Sequence, residues 1–287
     1  MNATPTAPVV VGVNGSPASL TAVRTAARQA QLYGRELRII HAFNWLPTYR
    51  GDCGDTAQAL LRQAESLAYA VAPDLNVRTR MLEGTPSVLL LRASKTAALI
   101  VVGEGSLSDC TCPAVDACAV QLARRAWCDV LVTRAEHRAD GPVVAGVDHS
   151  SDGDRALDVS FDAAGRLGTG LTAVRAVDPQ ATDADIEEET RRLRAALAAR
   201  QRAFGVTARP VLRRGDPAEV LRQEAETAGL MILGAHGDRP YGGMPGSVAQ
   251  TMLHHCPAPL RIVRRQLVSG RSATRRPGRS SPYAGVS

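Results

Sequence analysis

The chain carries the same unit twice. At a spacing of about 130 residues, four segments recur in the same order. "PVVVGVNGS" (Pro8–Ser16) matches "PVVAGVDHS" (Pro142–Ser150), and "LEGTPSVLL" (Leu82–Leu90) matches "RRGDPAEVL" (Arg213–Leu221). "ALIVVGEG" (Ala98–Gly105) matches "LMILGAHG" (Leu230–Gly237), and "CDVLVTR" (Cys128–Arg134) matches "APLRIVR" (Ala258–Arg264). A period this long describes two homologous domains, because solenoid repeats are several times shorter. Whatever fold one half adopts, the other must adopt too. The 287 residues suffice for two domains of ordinary size. The divisions read as 1–136 and 141–265, joined by the polar "AEHRADG" (Ala135–Gly141), with a tail over 266–287.

Within each unit, short apolar runs rich in β-branched residues alternate with helical patterns. In the second half, strands are expected at Val143–Asp148, Gly170–Val177, Thr207–Leu212, Leu230–Leu233 and Leu260–Val263. Helices are expected near Gly153–Leu167, Ala184–Phe204, Pro217–Thr227 and Ser247–His255. Asp216 before Pro217 reads as an N-cap followed by the first helical residue. The first half gives the same series, from Val9–Val13 to Val130–Thr133. The fold class that follows is α/β: two tandem doubly wound five-stranded parallel sheets with helices on both faces.

Composition narrows the function classes. The net charge is +6, but Arg271, Arg275, Arg276 and Arg279 lie in a tail that contains no acid, so only +2 remains on the rest. A short basic tail poor in apolar residues reads as disordered. Aromatic residues make up 3% of the chain, too few for a base-stacking platform, and nucleic acid is not expected as a partner. No apolar run approaches the roughly 18 residues of a membrane span. "MNATPTAP" lacks the positive start and apolar core of a signal peptide. No membrane association is expected, and a cytoplasmic location is.

Chemistry is expected beyond the carboxyl ends of the strands, where strand order reverses in an open parallel sheet. In the second unit that region holds Asp148 and the loop "LGAHGDRPYGGMPGS" (Leu233–Ser247). The loop leads from a buried strand into a helix starting near Gly246–Ser247. A helix start offers unpaired N–H groups and a partial positive charge. Glycines let a backbone approach a phosphate with no Cβ in the way. Gly234, Gly237 and Gly246, the Ser247 hydroxyl and the Val248 amide could thus cradle a phosphate chain. Asp148 would accept from a base amino group or a ribose hydroxyl. The same glycines also fit a tight turn with no ligand, and the residues alone leave both readings open. No Walker A pattern occurs, since the single lysine, Lys95, follows no glycine-rich loop.

The doubled unit resembles a tandem universal stress protein from Pro8 to Arg264. The nucleotide-binding branch of that family carries G-x2-G-x9-G-[ST] after its fourth strand and an aspartate closing its first. Here Gly234, Gly237, Gly246, Ser247 and Asp148 fill those positions, and "HCPAPLRIVRR" (His254–Arg265) also has the family's look. The resemblance implies ATP as cofactor, with or without magnesium, and no conspicuous hydrolysis. It also implies pairing through fifth strands, as a homodimer or as an intrachain pseudo-dimer, and a signalling partner protein of unknown identity. The spacing departs from the pattern: Asp238–Pro245 puts eight residues between Gly237 and Gly246 where the family has nine. Gly242–Gly243 can absorb the difference, because loop closure depends weakly on length, although Pro245 stiffens the approach to the helix. His236 and Arg239 in the loop could assist anionic oxygens or simply be solvated.

The first unit departs further. Gly103 is kept, but Ser106 stands at the second glycine, Asp116 and Ala117 at the Gly-Ser pair, and Asn14 at the aspartate. An acid at a helix start satisfies the dipole itself and repels phosphate. The first unit is therefore expected to bind ATP much more weakly, or not at all.

Other candidates carry less. Cys128 and Cys256 precede the fifth strands and read as buried structural thiols. Cys110, Cys112 and Cys118 are extra, and a thiol redox sensor built on them is an alternative function; their spacing is not a standard zinc pattern, and no metal is expected. A second alternative is an interaction or structural protein with no nucleotide. Adjacent His254 and His255 diverge on a helix and read as charge at its C-terminus, and His149 beside Asp148 could touch a ligand but reads first as an exposed loop residue. No nucleophile elbow or catalytic Ser/His/Asp spacing occurs, so no dedicated catalysis is expected.

Overall fold

The computed structural model describes residues 6–43, 53–105, 117–135, 140–236 and 246–264. The first unit runs β1 (Val9–Val13), α1 (Pro17–Leu32), β2 (Leu37–Phe43), α2 (Cys53–Val71), β3 (Val77–Glu83), α3 (Pro86–Ala93), β4 (Leu99–Gly103), α4 (Cys118–Arg125) and β5 (Asp129–Thr133). The second runs β6 (Val143–Gly146), α5 (Ser151–Leu167), β7 (Leu171–Val177), α6 (Asp183–Phe204), β8 (Ala208–Arg214), α7 (Pro217–Ala225), β9 (Leu230–Gly234), α8 (Ser247–His255) and β10 (Leu260–Val263). Local signals set these bounds. Asp216 caps α7 by accepting from the amides of Ala218 and Glu219 ahead of the rigid Pro217. Thr182 and Asp185 form a capping box on α6. β6 stops two residues short of Asp148, because that carboxylate folds back onto the following turn.

The two units share one sheet. Its order is β3-β2-β1-β4-β5-β10-β9-β6-β7-β8. Pairing is parallel within each unit, and β5 and β10 meet antiparallel, with Leu131 opposite Arg261. The alternation of side chains along each strand feeds two cores. Val9, Val11 and Val13 point to the face covered by α1, α2, α5 and α6; Val10 points to the face covered by α3, α4, α7 and α8. Each core runs unbroken through both units.

Polar groups fix the register of the seam. Asp129 is 4% exposed and receives the Arg261 guanidinium at 2.7 Å and the Arg264 amide at 3.1 Å. Arg134, following β5, donates to the carbonyls of Leu253 and Cys256 at the end of α8. Arg264, following β10, returns the contact to the carbonyl of Ala123 near the end of α4. On the other face, Arg166 of α5 donates to the Leu32 carbonyl at 2.9 Å and lies over the Tyr33 ring. Arg134 thus brings a positive charge from the first unit to the end of α8. Burial lowers the His254 pKa, and His255 and Arg134 lower it further.

Replacing Asp129 with alanine would strand the buried Arg261 charge. The expected loss is about 3–5 kcal/mol of unfolding free energy, read by urea denaturation of the full chain.

Candidate functional site

β6 and β9 are neighbours at the point where the second unit's strand order reverses, so their carboxyl ends open a crevice. Asp148 lies two residues past β6. Its Oδ1 accepts from the Ser150 amide at 3.0 Å and from the Ser150 hydroxyl. That hydroxyl accepts in turn from the Gly153 amide at 2.9 Å, which caps α5. The carboxylate is therefore held in place by the turn that starts the helix. A Cβ on Gly153 would collide with Asp148 Oδ1, so bare backbone there makes room for the carboxylate. The first unit builds the same turn with Asn14, whose Oδ1 accepts from the amide and hydroxyl of Ser16.

Two links join this turn to the opposite wall. His236 Nδ1 lies 3.2 Å from Asp152 Oδ2 in the first turn of α5. A carboxylate only accepts, so Nδ1 carries the proton. The Ser150 hydroxyl also lies 3.3 Å from the His236 carbonyl. One residue earlier, the Ala235 carbonyl accepts from the Gly246 amide at 3.0 Å. Asp148 and the start of α8 are thus each tied to the pair Ala235–His236. Gly246 is the N-cap of α8 and supplies no side-chain cap to the amides of Ser247 and Val248. Its φ of −56° suits any residue, so the turn itself does not demand glycine there.

Gly234 has a different reason to be glycine. A Cβ on it would stand 2.9 Å from the Asp152 carbonyl carbon in α5. Gly103 meets α1 the same way, 2.6 Å from the Ala18 carbonyl oxygen. Strand–helix packing therefore accounts for this glycine in both units. Gly237, Arg239, Gly242, Gly243 and Pro245 lie outside the described residues.

Sequence reading passed over a charged chain beside Asp148. His149 is half-exposed and bonds Glu189 of α6 at 3.1 Å, and Glu189 meets Arg175 of β7 at 2.6 Å. Partial burial works against Glu189 ionising, but the His149 hydrogen bond and the charges of Arg175, His149 and Arg192 outweigh it and hold the carboxyl below its usual range. Arg175 and Glu189 line a cavity of about 540 Å³ at the carboxyl end of β7, with Gln180 and Asp185 among its walls. The partners are far apart in sequence, and only the period of α6 hints that Glu189 faces inward.

Among the described cysteines, Cys128 and Cys256 are buried. Burial pushes the Cys118 thiol up to about 11, which keeps it protonated and unreactive near neutral pH. Cys110 and Cys112 lie outside the described residues.

Comparison with known proteins agrees with the doubled architecture. The sequence model of the universal stress protein family matches residues 6–134 and again residues 141–264. The chain therefore belongs to the universal stress protein family. Universal stress protein Rv2623 of Mycobacterium tuberculosis is 29% identical over 291 residues, spanning 90% of this chain and 97% of that protein. A universal stress protein of Mycolicibacterium smegmatis is 28% identical over 283 residues, spanning 89% and 96%. The crystal structure of a universal stress protein from Archaeoglobus fulgidus superposes with a TM-score of 0.71 at 16% identity, covering 90% of this chain and 96% of that one. No described helix is long and apolar enough to cross a membrane.

Alanine at Gly234 or at Gly103 should destabilise the protein by about 1–3 kcal/mol through overpacking against α5 or α1. Thermal melts of the two variants check this. A glycine kept only for ligand approach would leave the melting temperature unchanged.

Proposed function

We propose that the second unit binds an adenine nucleotide, ATP in the simplest case, and that the chain acts as a ligand-occupied signalling module. The observation that carries this reading is the convergence on Ala235–His236. Through it the uncapped first turn of α8 and the fixed Asp148 carboxylate flank one crevice. The α8 amides of Ser247 and Val248, with the Ser247 hydroxyl, are suited to phosphate oxygens. Asp148 Oδ1 is engaged by Ser150, which leaves Oδ2 to accept from an amino group or a sugar hydroxyl. The cavity beside Arg175 and Glu189 offers room for a base one strand further along. Gly246 suits this role because its conformation needs no glycine, whereas Gly234 serves packing and Gly237 enters only by its place in the family pattern. Magnesium, when present, would accompany the phosphates.

Asp148 is held by the turn and is not poised to activate water, so we assign the module no dedicated chemistry. The compartment that fits this reading is the cytoplasm. β5 and β10 already occupy each other, so a homodimer would need another surface. Asn14, which holds the turn as Asp148 does but offers an amide in place of a carboxylate, supports a first unit that binds nucleotide more weakly or not at all.

The reading is tested by mass spectrometry of small molecules released from the purified protein, beside Gly246→Asp and Asp148→Ala. ATP should leave the parent, be absent from Gly246→Asp, and bind Asp148→Ala about tenfold or more weakly in calorimetry. A parent with no nucleotide affinity, or a Gly246→Asp variant with undiminished affinity, overturns it.

A further inference from the structure

Arg134 belongs to the first unit, but its strongest bonds go to the second. It is 6% exposed. Its Nε donates to the Cys256 carbonyl at 2.7 Å and its Nη2 to the Leu253 carbonyl at 2.6 Å. The last carbonyls of a helix lack intrahelical donors and form the negative end of its dipole. One planar guanidinium satisfies two of them in α8 and opposes that charge. Glu104, past the end of β4, completes the bracket. Its Oε1 accepts from the Ala135 amide at 3.0 Å, and its Oε2 lies 3.9 Å from Arg134 Nε.

α8 has nine residues, so it is about 13 Å long. Among the described residues, two hydrogen-bonded anchors hold it. At its start the Gly246 amide meets Ala235, and at its end stands Arg134. Between them the helix packs on α7 and β10 through apolar contacts, which resist sliding less than directed bonds do. A helix is stiff along its axis, so the placement of its last turn sets the placement of its first-turn amides. Those are the amides of Ser247 and Val248.

We propose that Arg134 is a positioning residue for the nucleotide site of the second unit, and that the first unit sets the affinity of the second through it. The proposal rests on the nucleotide reading above. It gives the first unit a function that requires no ligand of its own. The reciprocal bond from Arg264 reaches α4, whose start follows Asp116–Ala117 in place of Gly-Ser, so the exchange of arginines is mutual but its consequence for ligand is one-sided.

The test compares Arg134→Gln and Arg134→Lys with Arg166→Gln in the full chain. Arg166 also crosses between units, through the Leu32 carbonyl and the Tyr33 ring, and does not touch α8. ATP affinity is measured by calorimetry, and exchange of the hydrogen-bonded Gly246 and Gln250 amides at the start of α8 by hydrogen–deuterium mass spectrometry without ligand. Arg134→Gln should weaken ATP about tenfold and speed exchange at those amides. Arg134→Lys should fall between, because a single ammonium does not reproduce the planar fork; it also serves if the glutamine variant fails to fold. Arg166→Gln should change neither readout. Unchanged amide exchange in both Arg134 variants overturns the proposal, as does an equal loss in Arg166→Gln. A parent that binds no ATP overturns the nucleotide reading instead, and the exchange comparison still decides whether Arg134 fixes the start of α8.

Discussion

Antiparallel pairing of β5 with β10 is the constraint on which the rest of the molecule depends. Both strands are almost entirely buried, and an isolated five-stranded unit would present one of them as an open apolar edge. Duplication within one chain closes that edge at no cost in association entropy. The ten-stranded sheet that results has two continuous cores, so neither unit's packing is independent of the other. Its outer strands, β3 and β8, carry Arg78 and Arg80 on one side and Arg209 and Pro210 on the other, which discourage further strand addition.

The seam also separates what the two units share from what distinguishes them. Both build the turn after the first strand on a side-chain oxygen, from Asn14 or Asp148, that receives a serine amide and hydroxyl. Both need glycine where the fourth strand meets the first helix. These features are scaffold. The difference lies in the carboxylate of Asp148 and in the sequence that leads into the helix before the fifth strand, Gly246–Ser247 in one unit and Asp116–Ala117 in the other. Two copies of one fold can thus diverge in ligand chemistry without disturbing the sheet.

Much of the fold was legible in the sequence because its signals are local. Buried parallel strands read as short β-branched runs, and the start of α7 at Asp216–Pro217 followed from cap chemistry. The bounds of β9, α8 and β10 agree with expectation to within a residue. Asp148 and Gly246 were found through the repeat and the motif. The role of Gly234 was not separable from a ligand role, because its collision partner, Asp152, is brought there only by tertiary packing. The bonds from Arg134 to Leu253 and Cys256 span more than a hundred residues and leave no pattern along the chain. The chain from His149 through Glu189 to Arg175 is hidden for the same reason, so a histidine that reads as a solvated loop residue proves to tie the turn to α6.

The central claim is that ligand chemistry resides in the second unit, between Asp148 and the start of α8. Hydrogen–deuterium exchange of the full chain, with and without saturating ATP, tests it most directly because both units are read at once. The account predicts slowed exchange at Ser247–Ala249 and in the turn from Asp148 to Gly153, with no change at the start of α4 or at Asn14–Ser19. Equal protection of both units, or none in the second, would contradict it.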